Sequence, residues 1–440
     1  MSAHRPPLRL IAAALTASIC VPATAADLLG VYQRAQEEDP QFTTARSEYR
    51  AAREAMPQAR AAVLPQVSLS ASVNEREVTD GNTTESGSSN EASLSVTQTL
   101  FNWSQFAGLG QAEAQVAQAE AQFAAAEQNL ITRVANAYFE VLAAADNLRF
   151  AGAEKRAIER QLEQAQERFE VGVIPITDVK AAQASYDLAV SREIDADNRL
   201  ANAREALRTI LGEPPGTLAE LGEGLRLEAP DPTEPEAWVE QATERNPNLL
   251  AARAGADAAR QGIRVTRGGH YPNVELIGSY SEGDSDFGQG ADGADEETRV
   301  GVQLTWPLFS GGATFSEVDE AQAQFGAQRS RVVEAHRSAS QSTRDAFRGV
   351  QASISQVRAL EQAVESNQAA VEAARAGFEA GTRTAVDVLQ ALRDLYAAQR
   401  DYADARYNYI LNRLQLKQAA GTLTVEDVRL VNTWLSSPNG

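Results

Sequence analysis

The chain has 440 residues with 43% hydrophobic and 23% charged side chains, a composition that excludes a disordered polymer. Its formal net charge of −20 argues against a nucleic-acid partner. One cysteine, Cys20, and three histidines, His4, His270 and His336, exclude a disulfide framework, a Cys-rich zinc site and any multi-His metal motif.

Residues 1–25 read as a secretory signal. His4, Arg5 and Arg9 form a basic start, and Leu10 to Val21 form an apolar run too short to span a bilayer. Ala23-Thr24-Ala25 is an A-x-A cleavage site, so the mature chain is expected to start near Ala26 without a cysteine. Ile19 before Cys20 is not the small residue a lipoprotein signal needs. After residue 25 no run of 18 apolar residues follows, so any membrane passage must be made by strands.

Residues 26–212 form a first repeat and 237–420 a second. Pro40 and Pro65 recur as Pro247 and Pro272, Leu100-Phe101 as Leu308-Phe309, and Asp178-Val179 as Asp387-Val388, at offsets of 207, 208 and 209. Each repeat is expected to run helix, strand, loop, strand, very long helix, turn, helix. The short helices cover about 40–62 and 247–268.

Four segments alternate with period two, about 65–75, 91–101, 272–281 and 298–309. Val67, Leu69, Ala71 and Val73 face Ser68, Ser70, Ser72 and Asn74, and Val300, Val302, Leu304, Trp306 and Leu308 face Arg299, Gln303 and Thr305. Each is about the length that crosses an outer membrane at a tilt. A soluble sheet with one solvated face gives the same pattern. Long helices leading away from the strands favour the membrane reading. Four strands cannot close a barrel, since closure takes about eight, so a cyclic oligomer is expected. The segments Glu75–Asn90 and Ser281–Glu297 read as long polar loops on its outer face, the second with seven acids and no base.

The first long helix is expected from about Ser104 to Val171. Positions 130, 134, 137, 141, 144, 148, 151, 155, 158, 162, 165 and 169 alternate steps of four and three, and all but Lys155 are apolar. At ~1.5 Å per residue the helix is on the order of 100 Å long, so the molecule must be elongated. The turn Gly172-Val173-Ile174-Pro175 ends it, and a returning helix spans about Thr177 to Ile210. Residues 213–236, with five prolines and seven acids, read as an acidic linker. The second repeat turns at Gly381-Thr382-Arg383-Thr384 and returns over about Ala385 to Ala420. Residues 421–440 form a C-terminal segment.

Motifs for catalysis are mostly missing. There is no P-loop, no G-x-S-x-G and no H-E-x-x-H, so neither an enzyme nor a cofactor or metal is expected. Gly288-Gln289-Gly290-Ala291-Asp292-Gly293 matches G-x-G-x-x-G, but its acidic surroundings would repel a pyrophosphate. Asp284-Ser285-Asp286 reads as solvated loop rather than a calcium site. His270 and His336 lack local partners and read as structural. Asp178 and Asp387 each follow a turn glycine at a helix start. Helix stabilisation by a carboxylate explains both, and so does a ring of carboxylates gathered by symmetry at one end of a tube. Arg383 is placed to pair with Asp178 or its neighbour across adjacent hairpins.

The stretches FEVGVIPITDV (169–179), GTRTAVDVL (381–389) and ARYNYILNRLQLKQAAGTL (405–423) closely resemble the TolC family of outer-membrane channels, and the likeness extends from about Leu28 to Leu435. The resemblance implies a mixed, mainly α fold: a homotrimer with a 12-stranded outer-membrane β-barrel continued by a 12-helix periplasmic α-barrel. It places the linker and the C-terminal segment in an equatorial belt. It implies efflux of small molecules and export of proteins. A periplasmic adaptor (membrane fusion protein) and an inner-membrane transporter of resistance-nodulation-division, ABC or major facilitator type would dock on it. It also implies a gate at the periplasmic tip, carried by Thr177, Asp178 and Arg383, with Asp387 in an acidic throat ring. Two positions depart from the family. Phe378 stands where the family has a tyrosine, so a hydroxyl link to Asp178 cannot form, and Gln390 stands where the family has a second ring acid. A periplasmic coiled-coil adaptor or scaffold without a pore is the alternative; it fits the hairpins but not the four strands.

Overall fold

The computed structural model describes residues 26–222, 224–285 and 294–436. The expected signal segment 1–25 with Cys20, Asp286, the G-x-G-x-x-G stretch at 288–293 and the last residues, 437–440, lie outside them. In chain order the elements are α1 (Leu28–Glu38), α2 (Pro40–Arg53), α3 (Ala55–Ala61), β1 (Gln66–Asp80), β2 (Thr83–Phe101), α4 (Trp103–Glu170) and α5 (Ile176–Leu211). There follow β3 (Glu220–Leu221), α6 (Pro235–Arg245), α7 (Pro247–Arg267), β4 (Asn273–Ser285), β5 (Ala294–Thr305), α8 (Ala313–Glu379), α9 (Ala385–Ala419), α10 (Val425–Asn432) and β6 (Leu435–Ser436). The chain is mainly helical, with a few strands.

The four long strands form one antiparallel sheet in the order β1-β2-β4-β5. The register puts Ser68 opposite Ser95 and Ser70 opposite Ser93, with hydroxyl contacts of 2.6 and 2.7 Å, while Val67 pairs with Val96 and Leu69 with Leu94 on the other face. The apolar face is bare: Leu69 is 76% exposed, Val300 76% and Leu304 64%; the last strand ends at Thr305, so Trp306 and Leu308, expected in it, lie beyond the sheet. Among the described residues β1 and β5 each pair on one side only.

The expected loop 75–90 is instead strand. β1 and β2 pair from Gln66–Thr97 to Asp80–Thr83 and turn on Gly81 and Asn82. Gly81 at φ 59° supplies the left-handed backbone that a two-residue hairpin loop needs. The run of Thr and Ser around it carries no apolar alternation, which is why the strand is invisible to a hydrophobic pattern. The expected loop 281–297 also shortens, since β4 runs to Ser285 and β5 starts at Ala294.

Helix α4 has 68 residues and α8 has 67. Helix α4 packs on α5, α7 and α9, and α8 packs on α7 and α9. Of the seam read in α4, Leu130, Val134, Ala137, Val141, Ala144, Ile158, Leu162 and Ala165 are buried, and Phe169 at the end is exposed. In the second repeat the short helix α7 meets the end of the returning helix α9. The Asn246 side chain accepts from the N–H groups of Asn248 (3.1 Å) and Leu249 (3.2 Å), capping α7, and donates to the carbonyl of Ala419 (2.9 Å), the last residue of α9.

The main core lies midway along α4, where Tyr138, Phe139, Tyr409 and Ile410 are buried with Leu28, Val31, Leu207 and Val428. Residues of the 213–236 linker are bound to it. The Tyr138 hydroxyl donates to Ala219 (2.8 Å), Tyr409 accepts from the Glu228 N–H (2.9 Å), and Arg406 donates to Gly222 (2.6 Å). The chain ends are tied in by pairing of β3 with β6 and by Asn432 donating to Asp27 (2.8 Å). None of the described helices is long and apolar enough to cross a membrane.

Candidate functional site

The sequence singles out the two turns at the far ends of the helical hairpins. In the first, the Gly172 N–H donates to Phe169 and the Val173 N–H to Arg168, both at 2.9 Å. In the second, the Gly381 N–H donates to Phe378 (3.1 Å) and the Thr382 N–H to Gly377 (2.8 Å). Gly172 and Gly381 sit at φ 77° and 76°, a backbone that only glycine adopts without cost, so both helices end in the same wrapped C-terminal turn. Pro175 and Thr384, both extended, then start α5 and α9.

The two helix starts differ. Thr384 and Asp387 form a capping box: Asp387 Oδ2 accepts from the Thr384 N–H and hydroxyl, each at 2.8 Å, and the Asp387 N–H donates to Thr384 Oγ1 at 3.3 Å. These two donors, with a smaller contribution from the nearby Arg383 charge, hold the exposed Asp387 carboxyl below the usual aspartate range. Pro175 has no side chain that can cap, so Asp178 lies in the first turn of α5 with no side-chain cap bond, favoured there by the helix dipole. Thr177 beside it is exposed.

Phe378 is 5% exposed and packs with Val371, Ala374, Ala385, Val388 and Leu392. Arg168, on the other hairpin, places its guanidinium 4.2 Å from the Phe378 ring centroid and donates from Nη1 to the Phe378 carbonyl (3.2 Å). Arg383 is exposed, and its stem lies over Gly377, where a Cβ would meet Arg383 Cγ at 2.9 Å. Within the chain Arg383 and Asp178 form no ion pair. Gln390 donates to Asp394 (2.9 Å), one turn further along α9.

Between the tips and the main core lies a polar layer that the sequence marks by a single sign, Lys155 in an otherwise apolar seam. Lys155 pairs with Glu193 on α5. Next to it Arg192 donates to Glu154 (2.5 Å), whose residue is only 5% exposed. Burial pushes the Glu154 carboxyl up, and Arg192, Arg393 and Arg400 oppose that push. Arg393 on α9 donates to Ser185 on α5 (2.7 Å), so three helices meet here through charged side chains. Arg168, Glu154, Arg192 and Arg393 all went unmarked in the sequence, because a charge on a long helix is usually a solvated face.

Of the histidines described, His270 packs at a tilt against Phe315 with ring centroids 4.9 Å apart, and His336 lies exposed in α8. Among the described residues no group of His, Cys, Asp and Glu side chains converges as a metal ion would require.

The fold that carries these turns has counterparts among known proteins. The family model described as outer membrane efflux protein matches residues 31–213 and 238–422. The chain belongs to this family. The outer membrane protein TolC of Vibrio cholerae is 42% identical over 415 residues, covering 93% of this chain and 94% of that protein. The alkaline protease secretion protein AprF of Pseudomonas aeruginosa is 31% identical over 419 residues, covering 93% and 87%. Among solved structures, the outer membrane protein VceC from Vibrio cholerae superposes with a TM-score of 0.75 at 23% identity, covering 90% of this chain and 96% of that one, a likeness of fold. As an outer membrane efflux protein, the chain resides in the outer membrane and acts as an efflux and secretion channel.

Proposed function

We propose that three copies of the chain assemble into one duct, each contributing four strands to a 12-stranded barrel in the outer membrane and four helical strands to a twelve-helix tube in the periplasm. The observation that carries this reading is the sheet β1-β2-β4-β5. Its strands of 12 to 19 residues exceed the ~10 needed to cross the membrane, its outer face is apolar and bare, and neither edge has a partner among the described residues. Joining edge to edge between copies satisfies those backbone groups, and three-fold closure exceeds the minimum of about eight strands.

In this reading the chain is two repeats, 26–212 and 237–420, joined by the 213–236 linker, with 421–440 beside it as an equatorial belt and 1–25 removed near Ala25. The near-equal α4 and α8, and α5 (36 residues) and α9 (35), support the repeats. The glycine turns close the periplasmic end. Thr177, Asp178, Phe378 and Arg383 form the gate network, with Arg383 reaching Asp178 of the adjacent copy. Asp387, held ionised by Thr384, forms the acidic ring, and Gln390 leaves one ring acid per chain. A periplasmic adaptor and an inner-membrane transporter of resistance-nodulation-division, ABC or major facilitator type dock at this end, and the transporter supplies the energy.

The test is conductance of the purified protein in planar bilayers together with its mass in detergent. A trimer that forms discrete pores is expected. A monomer without pores would sink the duct and favour the pore-free adaptor.

A further inference from the structure

Arg168 bonds the turn of the α4–α5 hairpin to the turn of the α8–α9 hairpin within one chain, beyond the apolar packing of Leu389 against Ile158, Leu162 and Ala182. Its own carbonyl closes the first turn by accepting from Val173, so its backbone is fixed to that turn. Its guanidinium leaves the turn and takes both faces of one neighbour: the ring of Phe378, 4.2 Å from the centroid, and the carbonyl of Phe378 through Nη1 at 3.2 Å. That same carbonyl accepts from the Gly381 N–H, so Arg168 bonds to the backbone of the second turn as well as to its aromatic anchor. A planar, permanently charged group against the face of a nearly buried ring is a cation–π contact, and a lysine cannot reproduce its flat stacking and directed N–H together.

The related positions give the contact a direction. Phe169 stands to the first turn as Phe378 stands to the second, yet Phe169 is 41% exposed while Phe378 is 5% exposed. The residue matching Arg168 in the second turn is Gly377, which has no side chain to cover an aromatic ring. One chain therefore carries one latch. It joins its two hairpins to each other and leaves the outer flank of the first hairpin without an equivalent.

We propose that Arg168 is a gating residue, holding the α8–α9 turn against the α4–α5 turn through the Phe378 ring and carbonyl, so that the two turns of a chain stay together until this contact breaks. It takes the place of a hydroxyl link that Phe378 cannot make. The inference rests on the reading of these turns as the closed end of a duct.

The test compares Arg168→Gln, Arg168→Lys, Phe378→Leu and the double variant Arg168→Gln/Phe378→Leu in the full-length protein. Two readouts are taken: open fraction in planar bilayers and hydrogen exchange of the amides of Gly381, Thr382 and Arg383. Arg168→Gln and Phe378→Leu are each expected to raise both by on the order of ten-fold, the size expected for one partly desolvated contact. The double variant is expected to go no further than the larger single effect, and Arg168→Lys to restore only part of the wild-type behaviour. Unchanged exchange and open fraction in Arg168→Gln, or single effects that multiply in the double variant, would overturn the latch. If exchange rises as expected while the wild-type protein conducts nothing, the latch stands and the duct reading falls.

Discussion

Glu154 on α4 and Arg192 on α5 meet 2.5 Å apart, with the carboxylate almost wholly withdrawn from water and the guanidinium half exposed. This asymmetry decides what each side chain is worth. Removing Arg192 strands a buried charge, whereas neutralising Glu154 leaves an arginine that water can solvate. Arg192→Ala is therefore expected to destabilise the fold by about 3 kcal/mol near neutral pH, and Glu154→Gln by about 1 kcal/mol. Urea unfolding followed by helical signal measures both, and equal losses would contradict the asymmetry.

The same pair has a pH dependence of known sign. Burial raises the Glu154 carboxyl in the folded chain above its unfolded value. A raised folded pKa contributes stability that is fully present below the unfolded value and is lost as pH rises through the folded one. Without Arg192 the folded value climbs further. The destabilisation by Arg192→Ala should then be smaller at about pH 5 than at about pH 8, and a loss that is constant over that range would show that Arg393 and Arg400 already neutralise the site.

Asp387 has the opposite sign. Thr384 holds its carboxyl below the ordinary aspartate range, so the ionised form persists as pH falls and its contribution is lost only below the unfolded value. Block of the pore by multivalent cations from the periplasmic side should remain at about pH 4.5, where unperturbed exposed carboxylates begin to protonate. Asp387→Ala should abolish it, and block that survives this change places the cation site elsewhere.

Arg383 and Asp178 make no ion pair within the chain, which separates two kinds of effect. Arg383→Ser and Asp178→Ala should each leave the unfolding free energy of the chain within about 0.5 kcal/mol of wild type while raising the open fraction in bilayers. Equal open fractions in both variants and in wild type would remove these residues from the gate.

Tyr138 anchors the linker rather than the gate. It is fully buried, and its hydroxyl donates to Ala219 at 2.8 Å. Tyr138→Phe leaves that carbonyl without its donor inside the core and should cost about 1–2 kcal/mol. Thermal unfolding of the two proteins checks it, and an unchanged midpoint would mean the carbonyl finds another partner.

The long elements were legible because hydrophobic period survives over many residues. The α4 seam, the hairpin glycines and the strand alternation from Val67 to Val73 are each set by side-chain chemistry alone. The short helices expected over about 40–62 and 247–268 are present as α2, α3 and α7, whereas α1, α6 and α10 were missed although they carry local signs: Asp27 caps α1 by accepting from Gly30 (2.8 Å), Pro235 opens α6, and Thr424 with Asp427 forms a capping box before α10. Each is too short for a period to rise above its neighbours. At the tips, the capping pair Thr384–Asp387 follows from spacing, because its partners are three residues apart. Arg168 and Phe378 are 210 residues apart, and no local pattern brings them together. The two-residue turn at Gly81 and Asn82 was hidden by the polar strands on both sides of it.

The sheet that turns its valines and leucines outward also constrains how the protein is made. A single chain released into the periplasm presents Leu69, Val300, Val302 and Leu304 to water beside two open strand edges, the combination that promotes sticking to any other exposed strand. The helical half has its own core. In the proposed assembly the strand edges are covered only once copies meet in the bilayer, so the sheet is the part of a lone chain most exposed to wrong pairing.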